Sequence, residues 1–259
     1  MTQTVERMLP LYEAKLIHQF DHRWATYERD GTVRDVTLAE KQDPSFVSLP
    51  RYWVREEVVR DRLGDRWDRE WLLGWRDICR STDERTMIAS QFPLAAVGHT
   101  LPIALTSAEP VLLLSVWSSF VFDYVARQKV GGTHMTYGYL MQLATVVPGT
   151  PPPWLGSTVG WFVDRAWFLQ STASWSTDAR ARVRAELDAA YFHLFGIERE
   201  DVDYIMDTFP IVKRKDEAAF GSYRTKELIL EAYDAMQAAI VSGVPYASPL
   251  DQLTGQERK

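Results

Sequence analysis

The segment from Val111 to Val125 constrains the fold more than any other, because an apolar run of that length has to be covered by the rest of the chain. Ser115, Ser118, Ser119 and Asp123 interrupt it, and it is too short to cross a bilayer, so it reads as one buried helix. The 259 residues, 46% of them hydrophobic, supply ample material for one large domain, or for a domain with an appendage. Ten tryptophans add large, rigid contact surfaces, some of them expected on a binding face.

The run ends in Asp123-Tyr124-Val125-Ala126-Arg127-Gln128-Lys129-Val130-Gly131-Gly132-Thr133-His134. Paired glycines let a backbone adopt positive φ or approach another molecule closely. Arg127 and Lys129 place charge beside that bend, while Thr133 and His134 add hydrogen-bonding groups. Such a turn suits a phosphate backbone or a base edge better than a hydrophobic core. The net charge of −6 argues against a free-standing, non-specific nucleic-acid binder. Contact with DNA then has to come from a local patch, or with a partner chain that supplies most of the positive charge.

Residues 1–50 read as irregular, with turn signals at Asp30-Gly31, Asp43-Pro44 and Leu49-Pro50. Arg51 to Val54 is predicted as a short strand, Val58 to Leu63 as a helix, and Trp71 to Ile78 and Thr86 to Phe92 as strands. Pro93, Gly98 and Pro102 confine the next stretch to a loop or an edge strand, and residues 135–147 read as a short helix and a strand. The run Pro148-Gly149-Thr150-Pro151-Pro152-Pro153 is a stiff break. The expected class is therefore α+β: a mixed α/β domain over 1–150, then a linker and helical tail over 151–259. In that tail Val183, Leu187, Ala190, Tyr191 and Leu194 recur at helical spacing before Gly196. A short helix from Asp201 to Phe209 stops at Pro210, and Ile229, Ala232, Tyr233, Met236 and Ile240 stripe another that ends at Gly243. The stretch from Ser248 onward reads as frayed.

Cys79 stands alone, which excludes an internal disulfide framework and fits a reducing cytoplasm. Met1 to Arg7 lacks the basic-then-apolar layout of a signal peptide, and no segment reads as a membrane anchor. His18 and His22 are four apart, the spacing of two ligands on one helix face. No Glu follows His18 and no third ligand is evident, so no metal is expected and the pair reads as structural or DNA hydrogen-bonding groups. Pro151-Pro152-Pro153-Trp154 approximates the Asn-Pro-Pro-aromatic motif of DNA amino-methyltransferases, but Pro151 has no side-chain acceptor for a target amino group. Glu13-Ala14-Lys15 matches half of a nuclease motif without the upstream Pro-Asp. No catalytic constellation is read anywhere in the chain.

Between Arg51 and Arg85 nine arginines face nine acidic residues, so most are expected to be solvated ion pairs of small value. Arg76 and Arg85 flank the polar turn Ser81-Thr82-Asp83, a loop tip of the kind that carries base readout, and one well-placed guanidinium fork suffices for a guanine. Lys213-Arg214-Lys215 is the dense basic triplet, read by default as a solvated helix approach.

Several segments, in order along nearly the whole chain, resemble the C-terminal region of the large single-chain adenine-specific DNA methyltransferases. These are the type IIG restriction enzymes and the methylases of BREX and DISARM islands. The segments are Leu11 to Arg23 (Leu-Tyr-Glu-Ala-Lys-Leu-Ile-His-Gln-Phe-Asp-His-Arg), Arg51 to Val54, Gly74-Trp75-Arg76-Asp77-Ile78 with Asp83-Glu84-Arg85-Thr86, and Phe122 to Lys129 with Gly131 to His134. Thr208-Phe209-Pro210 through Phe220 to Lys226 and on to Tyr233-Asp234 completes the likeness. In that family the region looks like a target-recognition domain, related to those of type I specificity subunits, followed by a helical tail. The family's cofactor-binding and Asn-Pro-Pro-aromatic segments lie upstream of it, and here about ten residues precede Leu11. The resemblance therefore implies sequence recognition of double-stranded DNA, with methyl transfer and its S-adenosylmethionine supplied by a separate catalytic domain or subunit and no cofactor in this chain. DNA contacts are expected at Arg127, Lys129, Gly131, Gly132, Thr133 and His134, with Arg85, Arg76, Lys15, His18 and His22 beside them. The competing expectation is a non-catalytic interaction subunit or an inactive methyltransferase remnant.

Overall fold

The computed structural model describes residues 6–107, 109–146, 152–155, 160–173 and 175–254. The chain is α+β, as the sequence predicts. Three small sheets lie in its first 104 residues: β1 (Met8–Tyr12), β2 (Ala25–Tyr27), β3 (Val33–Asp35), β4 (Trp53–Arg55), β5 (Trp71–Trp75), β6 (Ala89–Pro93), β7 (Ala96–Val97) and β8 (Ile103–Ala104). β1 pairs antiparallel with β4 and parallel with β7, β2 and β3 form a hairpin, and β5 lies between β6 and β8 with both pairings antiparallel. The expectation of an irregular segment over 1–50 is corrected here. β1 finds its partners only 40 and more residues along the chain, so nothing in its local pattern announces a strand.

The helices are α1 (Leu38–Gln42), α2 (Glu56–Leu63), α3 (Pro110–Trp117), α4 (Phe120–Lys129), α5 (Tyr137–Leu140), α6 (Gly160–Gln170), α7 (Thr177–Leu194), α8 (Arg199–Asp207), α9 (Pro210–Phe220), α10 (Arg224–Ser242) and α11 (Asp251–Thr254). The single buried helix expected over Val111 to Val125 is in fact two. Ser119 takes an extended backbone and its hydroxyl accepts from the Phe122 N–H, so it caps a new helix inside the apolar run. Pro210 likewise opens α9 at its first turn, where the missing N–H costs nothing, as well as closing α8. Gly196 and Gly243 follow α7 and α10 with φ of 67° and 71°, the left-handed exit that glycine takes without strain. No strand follows α5 among residues 141–146, and 147–151 lie outside the described residues. The C-terminal stretch is not all frayed: α11 forms and Thr254 is buried.

Trp71-Leu72-Leu73-Gly74-Trp75 is apolar at every position, the pattern of a strand covered on both faces. Leu72 and Phe92 point into a smaller core with Tyr12, Ile17, Trp67 and Leu101. Leu73, Trp75 and Ala89 point into a larger one with Val111, Phe122, Tyr191 and Met236. The β6-β5-β8 sheet is thus the wall between two cores. The larger core runs from Phe20 to Met236 and so takes residues from both sides of position 150. Trp53 alone among the tryptophans of the described residues is exposed; the others build the interior or its margins.

Candidate nucleic-acid interface

The loop after β5 and the turn after α4 meet at one edge of the molecule. The Cys79 N–H donates to the Thr133 carbonyl at 3.0 Å, the Met135 N–H donates to the Asp77 carbonyl at 2.6 Å, and Ile78 and His134 form an isolated antiparallel bridge. Arg127 closes the contact from beneath, donating to the carbonyls of Asp83 and Glu84 at 2.6 and 2.8 Å. The two stretches that the sequence separates by some fifty positions therefore form one surface. Ile78, Arg80, Ser81, Lys129, Gly131, Gly132, Thr133 and His134 are exposed on it. Its acids are engaged. Asp77 accepts from His134 Nδ1 at 2.7 Å, and Asp83 turns back to accept the Arg80 N–H at 3.0 Å. Arg80 and Lys129 face outward, and so do the apolar side chain of Ile78 and the carboxylate of Asp83.

Beneath that surface lies Asp123, fully buried. Its carboxylate accepts from Arg85 Nε at 2.5 Å and from the Thr86 N–H at 2.9 Å, and Arg127 Nε approaches to 3.6 Å. The Arg85 guanidinium stacks over Phe120 at 3.9 Å and that of Arg127 over Phe209 at 4.0 Å. Interior charge on this scale survives only where it is paired and hydrogen-bonded. The placement corrects the expectation that these arginines reach DNA. Arg85 is 7% exposed and also donates to the Ser118 carbonyl. The Arg127 side chain is 9% exposed. Arg76 directs Nε and Nη2 onto the Ile17 carbonyl at 2.9 and 2.5 Å. All three anchor the loops and none projects from them.

The double glycine is corrected in its reason. Neither Gly131 nor Gly132 takes a positive φ, and a Cβ at either would meet no atom within 4 Å. Their distinction is bareness: they leave the backbone of an exposed turn open to close approach. Lys15, His18 and His22 form no part of this surface as a group. Lys15 Nζ donates to the Tyr27 hydroxyl at 2.9 Å, a bond that raises its pKa. His18 and His22 lie in a turn closed by a His18–Asp21 bridge, not on a helix, and the His18 ring packs 4.4 Å from Trp24. Burial pushes both imidazoles down, His22 to about 4, so they are neutral and unsuited to phosphate. Among the described residues no group of three or more His, Cys, Asp or Glu side chains could hold a metal ion, and no helix is long and apolar enough to cross a membrane.

The sequence reading missed Asp123 as an anchor and missed a row of charges on α7. Arg180, Arg184 and Asp188 recur every four residues among Val183, Leu187 and Tyr191, so they share a helix face with the core residues. That spacing was the available signal. Arg180 donates to the Phe20 carbonyl at 3.2 Å and Arg184 to the Gln19 carbonyl at 2.8 Å. Asp188 accepts the Phe120 N–H at 2.7 Å, and burial pushes its carboxyl up to about 7. Comparison with protein-family models, with curated proteins and with solved structures returns no match.

Proposed function

We propose that this chain is the DNA sequence-recognition module of an adenine-specific methyltransferase system of restriction-modification or phage defence, working with a catalytic domain or subunit that binds S-adenosylmethionine. The observation that carries the proposal is the meeting of the 78–83 loop with the 129–134 turn; the family likeness covers most of the turn and, of the loop, its two ends, Ile78 and Asp83. Arg80 and Lys129 offer phosphate contacts, which fix register without reading sequence. Thr133 and His134 offer hydrogen bonds to base edges, and Ile78 an apolar face of the kind that packs on a thymine methyl. The bare backbone at Gly131-Gly132 admits a phosphate close to the chain. A recognition module needs such a tip on a rigid base, and the Asp123–Arg85–Arg127 cluster supplies the base; it needs no general base of its own while another domain flips the adenine.

The test is a fluorescence-anisotropy titration of a mixed-sequence duplex at low and moderate salt, with and without a methyltransferase catalytic domain of the family. Binding that weakens as salt rises is expected, tighter in the presence of the catalytic domain. Absence of binding in both conditions overturns the proposal. It would transfer support to a second reading, a non-catalytic interaction subunit, which is favoured by the exposed Tyr52, Trp53 and Met8 along the β4–β1 edge.

A further inference from the structure

The bridge between Ile78 and His134 is of the close antiparallel type. The Cys79 N–H passes to the Thr133 carbonyl and the Met135 N–H to the Asp77 carbonyl, so the backbone bonds flank the bridged pair and do not join it. In such a pair the two side chains stand on the same side, with Cβ atoms about 4.5–5.5 Å apart. Both are open to solvent: Ile78 is 56% exposed and the His134 side chain 55%. The two flanking bonds therefore present an apolar side chain and an imidazole together.

Asp77 decides what the imidazole offers. Its carboxylate lies 2.7 Å from His134 Nδ1. A carboxylate only accepts, so Nδ1 carries the proton of the neutral ring and Nε2 is left as an acceptor. The aspartate is itself held in place. Its N–H donates to the Thr100 carbonyl at 2.9 Å and its carbonyl takes the Met135 N–H at 2.6 Å. On the major-groove edge of B-DNA an acceptor can bond only the amino groups of adenine and cytosine. Ile78 selects between them. An A·T pair carries the thymine methyl on the same groove edge as the adenine amino group, whereas a C·G pair carries no methyl there.

We propose, resting on the recognition reading of this surface, that Ile78 and His134 read one A·T pair in the major groove. His134 Nε2 accepts from the adenine N6 amino group and Ile78 packs on the thymine methyl. Asp77 is the positioning residue: it touches no base and acts by fixing the tautomer of His134. Arg80 and Lys129 meet phosphate in the same contact and carry none of the choice of base.

The experiment selects the tightest binders of the whole chain from a random-sequence duplex pool at pH 8. They should share an A·T pair. Replacing its thymine by uracil, which lacks the methyl, should weaken binding to the parent about fourfold, the scale of one buried methyl group, and to Ile78→Ala not at all. Replacing its adenine by unsubstituted purine, which lacks the amino group, should weaken binding to the parent about fivefold, the scale of one hydrogen bond, and to His134→Ala not at all. Both side chains are exposed, so both variants should unfold like the parent. Nitrogen-15 spectra of the histidine rings read the tautomer directly. The ring whose signals vanish in His134→Ala should carry its proton on Nδ1, and Asp77→Asn, whose amide can donate to Nδ1, should move that proton to Nε2. Selected duplexes without a shared A·T pair, equal penalties in variants and parent, or a His134 proton on Nε2 in the parent would overturn the A·T reading and leave DNA recognition standing. A tautomer unchanged in Asp77→Asn would remove Asp77 from its role. A pool in which nothing is enriched overturns sequence recognition itself, and the A·T reading with it.

Discussion

Asp123, sealed from solvent, holds the nearly buried Arg85 at 2.5 Å, and the same carboxylate also draws in Arg127 at 3.6 Å. One acid from the apolar run thus fixes the base of both exposed loops. Asp123→Asn keeps the shape and removes the charge, leaving two buried guanidiniums without a counter-ion. Breaking a buried pair in this way costs about 3–5 kcal/mol. In a chain of this size the unfolding midpoint should fall by roughly 10 °C. Thermal unfolding followed by circular dichroism measures it, and an unchanged midpoint would show that the cluster is not an anchor.

Lys129 and Arg127 lie two residues apart and should behave oppositely. Lys129 is exposed, so Lys129→Ala should leave stability within about 0.5 kcal/mol of the parent. Its duplex affinity should drop for all sequences alike, with the slope of log K against log salt reduced by about one. Arg127→Ala should lower stability, because it strips the Asp83 and Glu84 carbonyls of their donor. Equal salt slopes for Lys129→Ala and the parent would remove Lys129 from the interface.

Glycines at two places should separate packing from recognition. A Cβ on Gly74 would stand 2.9 Å from the Pro102 carbonyl oxygen and 3.1 Å from the Phe92 ring, inside the wall between the two cores. Gly74→Ala should cost about 1–3 kcal/mol, read by urea unfolding. Gly131→Ala and Gly132→Ala meet no neighbour and need no unusual φ, so they should unfold like the parent. If the turn is approached closely by DNA, they should still weaken duplex binding. Full binding by both would leave the double glycine without a role in contact.

Asp188 should make stability fall as pH rises. Its carboxyl is pushed up to about 7 in the folded chain by burial, against about 3.9 unfolded. Between those values the folded state binds more protons, so its stability declines with rising pH across that interval. His22, lowered by burial to about 4, works in the other direction between about 4 and 6.5. Asp188→Asn preserves the acceptor for the Phe120 N–H and abolishes the first effect alone. Relative to the parent it should gain stability as pH rises from 5 to 8, by ~1.4 kcal/mol or more, the equivalent of one pH unit. Urea unfolding at the two pH values tests this, and a constant difference between the proteins would count against it.

The helical tail was legible because its signals are local. Apolar residues at a period of 3.6 and the glycines that follow mark the C-terminal ends of α7 and α10 within a residue or two, while both helices begin several residues before the stripes at Val183 and Ile229. The central strand was legible for the same reason, since Trp71 to Trp75 is apolar at every position. β1 was not, because its partners Val54 and Ala96 are remote in sequence. The roles of Arg76, Arg85 and Arg127 were hidden too. An arginine that anchors a loop and one that reaches from it look alike until a carbonyl or an Asp123 is placed beside it. The exposed half of the surface, Lys129 to His134, was found by composition; the anchoring half needed tertiary contacts to become visible.

The ties from Arg180 and Arg184 back to the carbonyls of Phe20 and Gln19 span 160 and 165 residues. On a ribosome adding about 5–20 residues per second, the 18–20 segment emerges roughly ten to thirty seconds before the arginines that complete it. Trp75 meets Trp117 of α3 and Tyr137 well within that interval, so the sheet face is covered first. The face of α3 and α4 that packs on Tyr191 and Asp188 is what waits for α7. The nascent chain therefore holds that helical face open until α7 emerges, when chaperone capture competes with folding.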